Sequence, residues 1–524
     1  MKLFSKILPV FAILYAISIL FVFPKWTIDD AYITLRYAEN LASHDQLTWN
    51  INEDPIEGYT GVVLPVLLAI TIKVGFNPIV VSKIIGIVSF FSGGLVLFFF
   101  LGRLGIHNLI RSIGLLIYLS APFMFTHAIS GLETVLFSTF VITSLYLLFI
   151  SLEFTKHRIL KEIMLLISLL LTSLVRPEGV VLAGISILVF SLIQFRHHKQ
   201  HFLSFVIRVL ILFVLPSLLY FIWRWEYYGQ FLPNTFYNKC YTGSVSSGTL
   251  TSLSKFMRVY IGIPFMISSF LLAIGPAVSW DYIKKKYCLQ SLKYSYGAGL
   301  LFLIIVMFQY FRSNLLMNLS YRFYVFFFPV LLVGICIIAD AGFNTLNLCR
   351  NKKPSRYRFV ALTSLLLLVL QLSLHILHLT GRGAVVTGEI LKAAEYKQLL
   401  EDEHIPAGKY LKEVVPSNEW LIVHVDAGAI PYYSNLKTVD FGGINDEILS
   451  KKYDLSASEI LDYFYSFNAG AIVFTSYKWD KVEHGADDII NDPRFQQYTL
   501  VKKYRTMTGD SYYQFIFLRN DILD

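Results

Sequence analysis

Apolar runs long enough to cross a bilayer recur along most of this 524-residue chain, and they favour a polytopic helical membrane protein. A hydrocarbon core about 30 Å thick requires roughly 20 apolar residues in a spanning helix. The chain is 55% hydrophobic and only 15% charged, which is atypical of a soluble globular protein. We predict about 11 spans, with 12 or 13 as alternatives. The runs behind this prediction are a retained first helix in 1–24 and 60–77, 79–101, 109–128, 132–152, 160–175, 179–195, 207–223, 257–277, 296–311, 322–341 and 359–379.

The basic residues behind the net charge of +9 fall in short clusters between these runs. Such clusters mark cytoplasmic loops and are not a nucleic-acid footprint, so the predicted partner is the lipid bilayer and not nucleic acid. Arg103 and Arg111 then require an odd number of crossings in 60–101. Either 60–77 and 79–101 are not both full spans, or one of the basic residues used to place the cytoplasmic loops is misleading. The four clusters that agree with one another are 156–158 with Lys161, 196–199, 284–286 and 350–358.

Beyond about residue 380 the residue pattern changes to that of a soluble domain. Charges become regular, and strand-like runs appear at 420–425, 469–475 and 512–518, with helical stretches near 388–403 and 456–467. We therefore predict a transmembrane module over 1–380 and an extracytoplasmic α/β domain over 381–524. The four cysteines lack the spacing of a metal site or a disulfide framework.

One polar island, in the predicted first outer loop at 25–59, interrupts the apolar runs. Asp29 and Asp30 open it, and ionisable groups at a membrane are functional candidates. As a helix over 29–43, the segment carries a polar stripe that includes Asp29 and Arg36. Thr27 resembles an N-cap, with Asp30 at the third helical position of a capping box. This reading makes Asp30 the structural acid and leaves Asp29 for chemistry.

Further acids and arginines fall in the predicted outer loops. Glu133 could complement a helix dipole, the Arg176–Glu178 stretch could form a turn, and Asn234 could be ordinary loop chemistry. Together, however, carboxylates could deprotonate a hydroxyl or hold a divalent cation, and arginines suit a phosphate. A phosphate bound at the outer face of the membrane would be a lipid phosphate, such as that of a polyprenyl carrier.

At these residues the chain resembles the GT-C class of integral-membrane glycosyltransferases, and most of all the branch with decaprenyl-phosphate-arabinose-dependent arabinofuranosyltransferases. The resemblance covers both the membrane part and the outer domain, and nothing in it selects arabinose. Its motifs are Asp29-Asp30-Ala31-Tyr32 with Arg36-Tyr37-Ala38, Glu57-Gly58-Tyr59-Thr60, Gly131-Leu132-Glu133-Thr134, Arg176-Pro177-Glu178-Gly179, Leu232-Pro233-Asn234-Thr235, Asp426-Ala427-Gly428-Ala429-Ile430-Pro431-Tyr432 and Gly443-Ile444-Asn445-Asp446.

The resemblance implies an inverting glycosyltransferase at the outer face of a bacterial inner membrane. It would use a polyprenyl-phosphate-linked sugar and an envelope glycan or glycolipid acceptor. Asp29 would be the general base, supported by Asp30 and Glu133, which are also candidate ligands for a divalent cation (Mg, Mn or Ca). Arginines would bind the donor phosphate, with Arg176 first, then Arg36, Arg312 and Arg322. The predicted substrate contacts are Tyr32, Glu57, Tyr59, Glu178, Asn234, Asp426, Tyr432 and Tyr433.

Two other classes of protein remain open at this point. A glycolipid flippase or transporter would carry charges inside its spans and repeat symmetry, and neither stands out in the sequence. A non-catalytic scaffold for envelope assembly would not require the carboxylates.

Overall fold

The computed structural model describes residues 4–153, 157–240, 247–257, 290–313, 315, 317–349, 385–451, 454–483, 486–506 and 512–523. These residues form a helical bundle followed by a domain built on a small sheet, which confirms the predicted fold class. The predicted span at 359–379, nearly all of that at 257–277, and the basic clusters at 284–286 and 350–358 lie outside the described residues.

Helices of very different lengths make up the bundle. A π turn, which is wider than an α-helical turn, lies at Leu210–Val214, and a tighter 3₁₀ segment lies at Leu319–Tyr324. The α-helices are α1 (Phe4–Val22), α2 (Asp29–His44), α3 (Val63–Lys73), α4 (Pro78–Arg103), α5 (Asn108–Ser120), α6 (Pro122–Ala128), α7 (Thr134–Ser151), α8 (Arg158–Val175), α9 (Glu178–His197), α10 (Lys199–Val209), α11 (Leu215–Tyr228), α12 (Asn234–Cys240), α13 (Ser247–Phe256), α14 (Gln290–Phe311) and α15 (Phe327–Cys349).

Six helical segments in the described part of the chain are long and apolar enough to span a membrane, so the protein is a multi-pass membrane protein. The bent pair α5–α6, with an angle of 55° between its helices, would make a seventh. This count is below the predicted 11 to 13, partly because two predicted spans fall outside the described residues. The predicted run at 160–175 lies in α8, an 18-residue helix that is not among these six because three charged residues lie near its start.

The region 60–101 contains one short helix and one long one. Helix α3 has only 11 residues, while α4 has 26. At about 1.5 Å of rise per residue, α3 is far too short to cross a bilayer. The side chain of Asn77 accepts the backbone N–H groups of Ile79 (3.0 Å) and Val80 (3.2 Å), and Pro78 occupies the first turn, so α4 starts there. The odd number of crossings required by Arg103 and Arg111 is thereby explained.

The C-terminal domain is an α/β unit with a five-stranded mixed sheet in the order β2-β1-β3-β5-β4. Strand β1 pairs in parallel with β2 and β3, while β5 is antiparallel to both β3 and β4. Its elements are α16 (Val385–Leu399), a π turn at Leu400–His404, α17 (Ile405–Val414), β1 (Trp420–Val423), α18 (Ala429–Ser434), β2 (Lys437–Asp440), α19 (Glu447–Ser450), α20 (Ala457–Ser466), β3 (Ala471–Ser476), α21 (Asp487–Asn491), a 3₁₀ segment at Pro493–Gln497, β4 (Tyr498–Arg505), β5 (Tyr513–Arg519) and α22 (Asn520–Leu523).

Hydrophobic side chains pack on both faces of this sheet. Every residue of the central strand β3 is buried, and two separate apolar clusters cover its two sides. The segment after β1 turns away from the sheet at residues 424–428, beside the carboxyl end of the parallel strand β3. In open α/β sheets, this crevice beyond the carboxyl ends of strands is the usual ligand site. Here the N-terminal end of α2 packs against it.

Candidate active site

Asp29 is the first residue of α2, and its carboxylate is held by the C-terminal domain. It accepts the backbone N–H groups of Gly428 (3.0 Å) and Ala429 (2.8 Å), some 400 positions along the chain. Residue 428 must be glycine, because a Cβ there would lie 2.1 Å from the Asp29 carbonyl oxygen and 2.4 Å from its Oδ2. The close approach of backbone to carboxylate therefore depends on this glycine.

Burial governs the chemistry of the Asp29 carboxyl. Removal from water raises its pKa to about 6, and the Asp426 charge adds to this rise, while His404 and the bond from Ala429 oppose it. Each carboxylate oxygen uses one lone pair for an amide and keeps another for a proton. A carboxyl with a pKa near neutrality is well matched to accepting a proton at physiological pH.

The predicted capping box at the start of this helix is wrong. The N-cap is Ile28 rather than Thr27, and no side chain caps the helix. The Ile28 N–H instead donates to the carbonyl of Ser130 (3.0 Å), and this bond holds the start of α2 against the loop before α7. Asp30 therefore has no capping role, and the two adjacent acids take separate partners.

Asp30 forms an ion pair with Arg322 from the 3₁₀ segment before α15. Its Oδ2 accepts Nη1 of Arg322 at 2.6 Å, and the Asp30 side chain remains 23% exposed whereas that of Arg322 is only 5% exposed. The Nε of Arg322 is buried and has no hydrogen-bond partner among the described residues. Of the four arginines predicted to bind phosphate, Arg322 is the one beside the first-loop acids with a buried donor to spare.

A buried ion pair in the C-terminal domain lies behind Asp29. His404 Nε2 is 3.2 Å from Asp426 Oδ2. Burial favours the neutral imidazole, yet the Asp426 carboxylate raises the pKa of His404 to about 9. Burial likewise opposes the Asp426 charge, but His404 and its hydrogen-bond donors lower the pKa of Asp426 to about 2. Both groups are charged at neutral pH, and the positive imidazole favours the ionised form of Asp29.

The surroundings of Asp426 explain why it is an internal residue and not an open glycan contact. Its carboxylate accepts the hydroxyls of Thr475 (2.7 Å) and Tyr512 (2.9 Å) and the side-chain amide of Gln514 (2.8 Å). His404 Nδ1 is buried without a partner among the described residues. The pair therefore retains one unused donor or acceptor next to the site.

Glu133, Arg176 and Glu178 form a second buried cluster in the bundle. Arg176 donates Nε (3.3 Å) and Nη2 (2.9 Å) to Glu178 and Nη1 (3.2 Å) to Glu133. The Tyr310 hydroxyl donates to Glu178 at 2.6 Å. Each nitrogen of Arg176 therefore has a carboxylate partner. This arrangement differs from the prediction of a phosphate-binding arginine and describes a closed charge cluster joining α7, α9 and α14.

Arg36 holds the first outer loop against the C-terminal domain. Its guanidinium donates to the carbonyls of Trp49 (2.9 Å), Pro431 (2.7 Å) and Leu436 (2.7 Å) and to Asn50 Oδ1 (3.0 Å). These buried bonds use every nitrogen of the group, so the geometry assigns Arg36 to domain docking instead of phosphate binding. Arg312 is exposed just after α14, and no hydrogen bond in the described part of the chain joins its side chain to these clusters.

Three predicted substrate contacts bind other parts of the protein instead. Glu57 accepts Arg224 Nε at 2.6 Å, and burial raises the pKa of Glu57 to about 7. The Tyr59 hydroxyl lies 3.2 Å from that of Tyr228. Asn234 donates to the carbonyls of residues 443, 444 and 446 at 2.9–3.1 Å. Glu57 and Tyr59 therefore tie the first outer loop to α11, and Asn234, at the start of α12, contacts the C-terminal domain.

Tyr32, Tyr432 and Tyr433 form an aromatic cluster at the junction of α2 and α18. Their ring centroids are 5.1–5.6 Å apart. The Tyr432 hydroxyl donates to Glu39, and both Tyr432 and Tyr433 remain partly exposed. A partly exposed aromatic pair is consistent with a sugar-contacting surface, whereas Tyr32 itself is buried.

Comparison with solved structures identifies the fold. ArnT from Cupriavidus metallidurans bound to undecaprenyl phosphate matches with a TM-score of 0.57 and 13% identity, over 97% of each chain. The oligosaccharyltransferase of Archaeoglobus fulgidus in its apo form matches with a TM-score of 0.54 and 13% identity, over 90% of this chain and 70% of that one. The chain has the GT-C fold.

Sequence comparisons add little to this GT-C assignment. A family described only as a domain of unknown function (DUF8728) matches residues 391–516, which lie within the C-terminal domain. No curated protein matches the chain by sequence. The arabinofuranosyltransferase branch within the GT-C class is supported by neither comparison.

The acids of this GT-C protein do not fit a metal site. Among the described residues, no group of three or more histidine, cysteine, aspartate or glutamate side chains is placed to hold an ion. Asp30 and Glu133, the predicted ligands, are each already paired with an arginine. An arginine charge already neutralises each of these two carboxylates.

His404, Tyr396 and Tyr512 are members of this site that the sequence analysis missed. Tyr396 accepts the backbone N–H of Asp29 at 3.2 Å. His404 follows Glu401, Asp402 and Glu403 in a helical stretch whose pattern is typical of a solvated surface. Only the folded structure distinguishes His404, because there its side chain is 1% exposed and lies under the loop that carries Asp426.

Proposed function

We propose that this protein is an inverting glycosyltransferase that moves a sugar from a polyprenyl-phosphate donor to a cell-envelope glycan or glycolipid. It would work on the outer face of a bacterial inner membrane, with the C-terminal domain on that side. The observation that carries the proposal is the Asp29 carboxylate, buried, held by two backbone amides and with a raised pKa. The whole-length likeness to a protein bound to undecaprenyl phosphate supports the class of donor.

In the proposed reaction, Asp29 takes the proton of the acceptor hydroxyl. The acceptor oxygen attacks the anomeric carbon, and the bond from that carbon to the phosphate oxygen breaks with its electron pair left on the phosphate. The products are the glycosylated acceptor, with inverted configuration, and the free polyprenyl phosphate. The stereochemistry follows from a single displacement.

Arg322 is the group we assign to the departing phosphate, in place of Arg176. Its unpartnered Nε and its position beside Asp30 make it available, whereas the nitrogens of Arg176 are bonded to glutamates. A fixed positive donor at the place where negative charge develops lowers the barrier. Asp30 would orient this guanidinium through their 2.6 Å contact.

The decisive experiment measures transfer of a labelled sugar from a polyprenyl-phosphate pool by purified protein in vesicles. We expect Asp29→Asn to lower the rate by about 10²- to 10⁴-fold, the usual contribution of a general base. Asp30→Asn should lower it less, because Asp30 acts through Arg322. The matched control is Asp54→Asn, an exposed aspartate of the same outer loop, which should leave the rate unchanged.

Other outcomes of this assay would reject parts of the proposal. Normal transfer by folded Asp29→Asn protein would remove the base assignment, and a larger loss in Asp30→Asn would move it to the neighbouring acid. Lipid translocation without transfer by the wild-type protein would identify a flippase. Mass analysis of envelope polysaccharides from cells lacking the gene would then name the sugar and its acceptor, since one residue should be missing.

A further inference from the structure

A second site lies at the opposite end of the bundle from Asp29. The N-terminal end of α8 and one side of α10 enclose an open cavity of about 560 Å³, lined in part by His157, Arg158, His201, Ser204 and Arg208. Helix α8 runs from this cavity to the cluster around Arg176, and its 18 residues span about 27 Å. The cavity is therefore separate from the proposed transfer site by almost a bilayer thickness.

The charges around this cavity are unbalanced. Arg158 and Arg208 both bond to the one buried carboxylate of Glu162, Arg158 through Nε at 2.7 Å. Glu162 also accepts the side-chain amide of Gln194 at 2.9 Å. Among the described residues, these two guanidiniums and one carboxylate sum to a net charge of +1. An anion in the cavity would neutralise it.

Arg208 also has spare hydrogen-bonding capacity. Its Nε is buried and has no partner in the part of the chain that the structure describes. A buried donor without an acceptor destabilises the protein, and a ligand that accepts from it would remove that cost. Ser204, which is exposed and one turn before Arg208, places a hydroxyl on the same wall. These groups suit the oxygens of a phosphate.

The rest of the wall is apolar and faces outward. Ile159 is 59% exposed, Leu160 is 56% exposed, and Leu203 on the neighbouring helix is 69% exposed. In a membrane protein, such side chains contact acyl chains. A basic cavity bordered by lipid-facing leucine and isoleucine fits a ligand with a phosphate at one end and hydrocarbon at the other.

We propose that this cavity binds the headgroup of an anionic phospholipid in the leaflet opposite the transfer site. Residues 196–199, with two basic side chains and two histidines outside the cavity, indicate that this end of the bundle is the cytoplasmic one. Basic cavities between helices on that side bind anionic lipid headgroups. The inference is independent of the proposed glycosyl transfer.

The test titrates the purified full-length protein with phosphatidylglycerol and with phosphatidylcholine of identical chains, and follows bound lipid by native mass spectrometry. Phosphatidylglycerol should bind more tightly. Arg208→Gln should weaken its binding about tenfold, as expected for loss of a charge-assisted hydrogen bond. Arg196→Gln, which removes an exposed arginine outside the cavity, should not change it.

A second variant guards against misfolding of Arg208→Gln, which leaves Glu162 less well paired. Ser204→Glu changes an exposed residue and places a negative charge in the cavity, so it should also weaken phosphatidylglycerol binding. Equal binding of the two lipids, or an equal loss in Arg196→Gln, would overturn the proposal. If millimolar inorganic phosphate displaces the lipid and itself stabilises the protein, the ligand is a soluble phosphate and the lipid assignment is wrong.

Discussion

The group around Asp29 and the cluster around Arg176 are built from the same residue types, and contacts between the loops that carry them bring both to one end of the bundle. In the Arg176 cluster, the guanidinium nitrogens meet carboxylates of the membrane part. Around Asp29, the groups come from distant parts of the chain, and donors on Arg322 and His404 stay unused among the described residues. A cluster with leftover bonding capacity is a better candidate for substrate chemistry than one that is complete.

The largest expected difference concerns folding. Arg176→Met should lower the free energy of unfolding by about 3–5 kcal/mol, because two buried glutamates lose the guanidinium that pairs with both of them. The midpoint of thermal unfolding in detergent should fall accordingly. Arg196→Gln, at an exposed position, serves as the control and should unfold like the wild type.

An Arg176→Met protein that keeps its unfolding midpoint but loses sugar transfer would reverse the comparison. Arg176 would then act on substrate, as the sequence motif predicts, and its glutamate bonds would be incidental.

Arg322→Gln should have the opposite profile. Its partner Asp30 is 23% exposed and can be hydrated when the ion pair is lost, so the unfolding midpoint should change little. Transfer should fall by about 10- to 100-fold, equivalent to roughly 1.4–2.8 kcal/mol of stabilisation of the departing phosphate. Arg322→Lys should recover part of the rate, since it restores the charge without the forked geometry. A loss of stability without a loss of rate would contradict the assignment.

The smallest effect is expected from the buried pair in the C-terminal domain. In the proposed reaction the base is the ionised Asp29, so kcat/KM should fall as pH drops through about 6. The positive charge of His404 lowers that pKa, and His404→Gln should therefore move the acidic limb to higher pH, by about one unit. Thr475→Val removes a neutral donor from Asp426 and should move it much less. If the acidic limb of the pH profile does not move in His404→Gln, the His404–Asp426 pair does not influence the pKa of Asp29.

Much of the fold could be predicted because it depends on local patterns. The apolar runs locate α4, α7 and α9, and the strands β1, β3 and β5 are predicted by their β-branched and aromatic residues. Strand β4 has no clear apolar pattern, because it is a sheet edge with half of its residues exposed and with charged residues at 502, 503 and 505. Strand β2 has only four residues, too few for a periodic signal.

The site itself was predictable only as a set of residue types. The sequence picks out Asp29 as the acid for chemistry, which remains a prediction, but the reason that it offers, a cap by Asp30, is wrong. What Arg36 binds depends on carbonyls about 400 residues away, and no local pattern encodes that. The burial of His404 has the same origin. Partners supplied by another domain decide the role of each polar side chain.

The amide contacts of Gly428 and Ala429 with Asp29 also set an order of events during biosynthesis. A ribosome completes Asp29 almost 400 residues before it completes the two amides that hold the carboxylate. Until the last quarter of the chain has been translated and has docked on α2, the acid lacks these two donors and remains an ordinary hydrated aspartate. Under the proposed function, truncated or stalled chains would thus be unable to transfer a sugar, and only finished copies would be active.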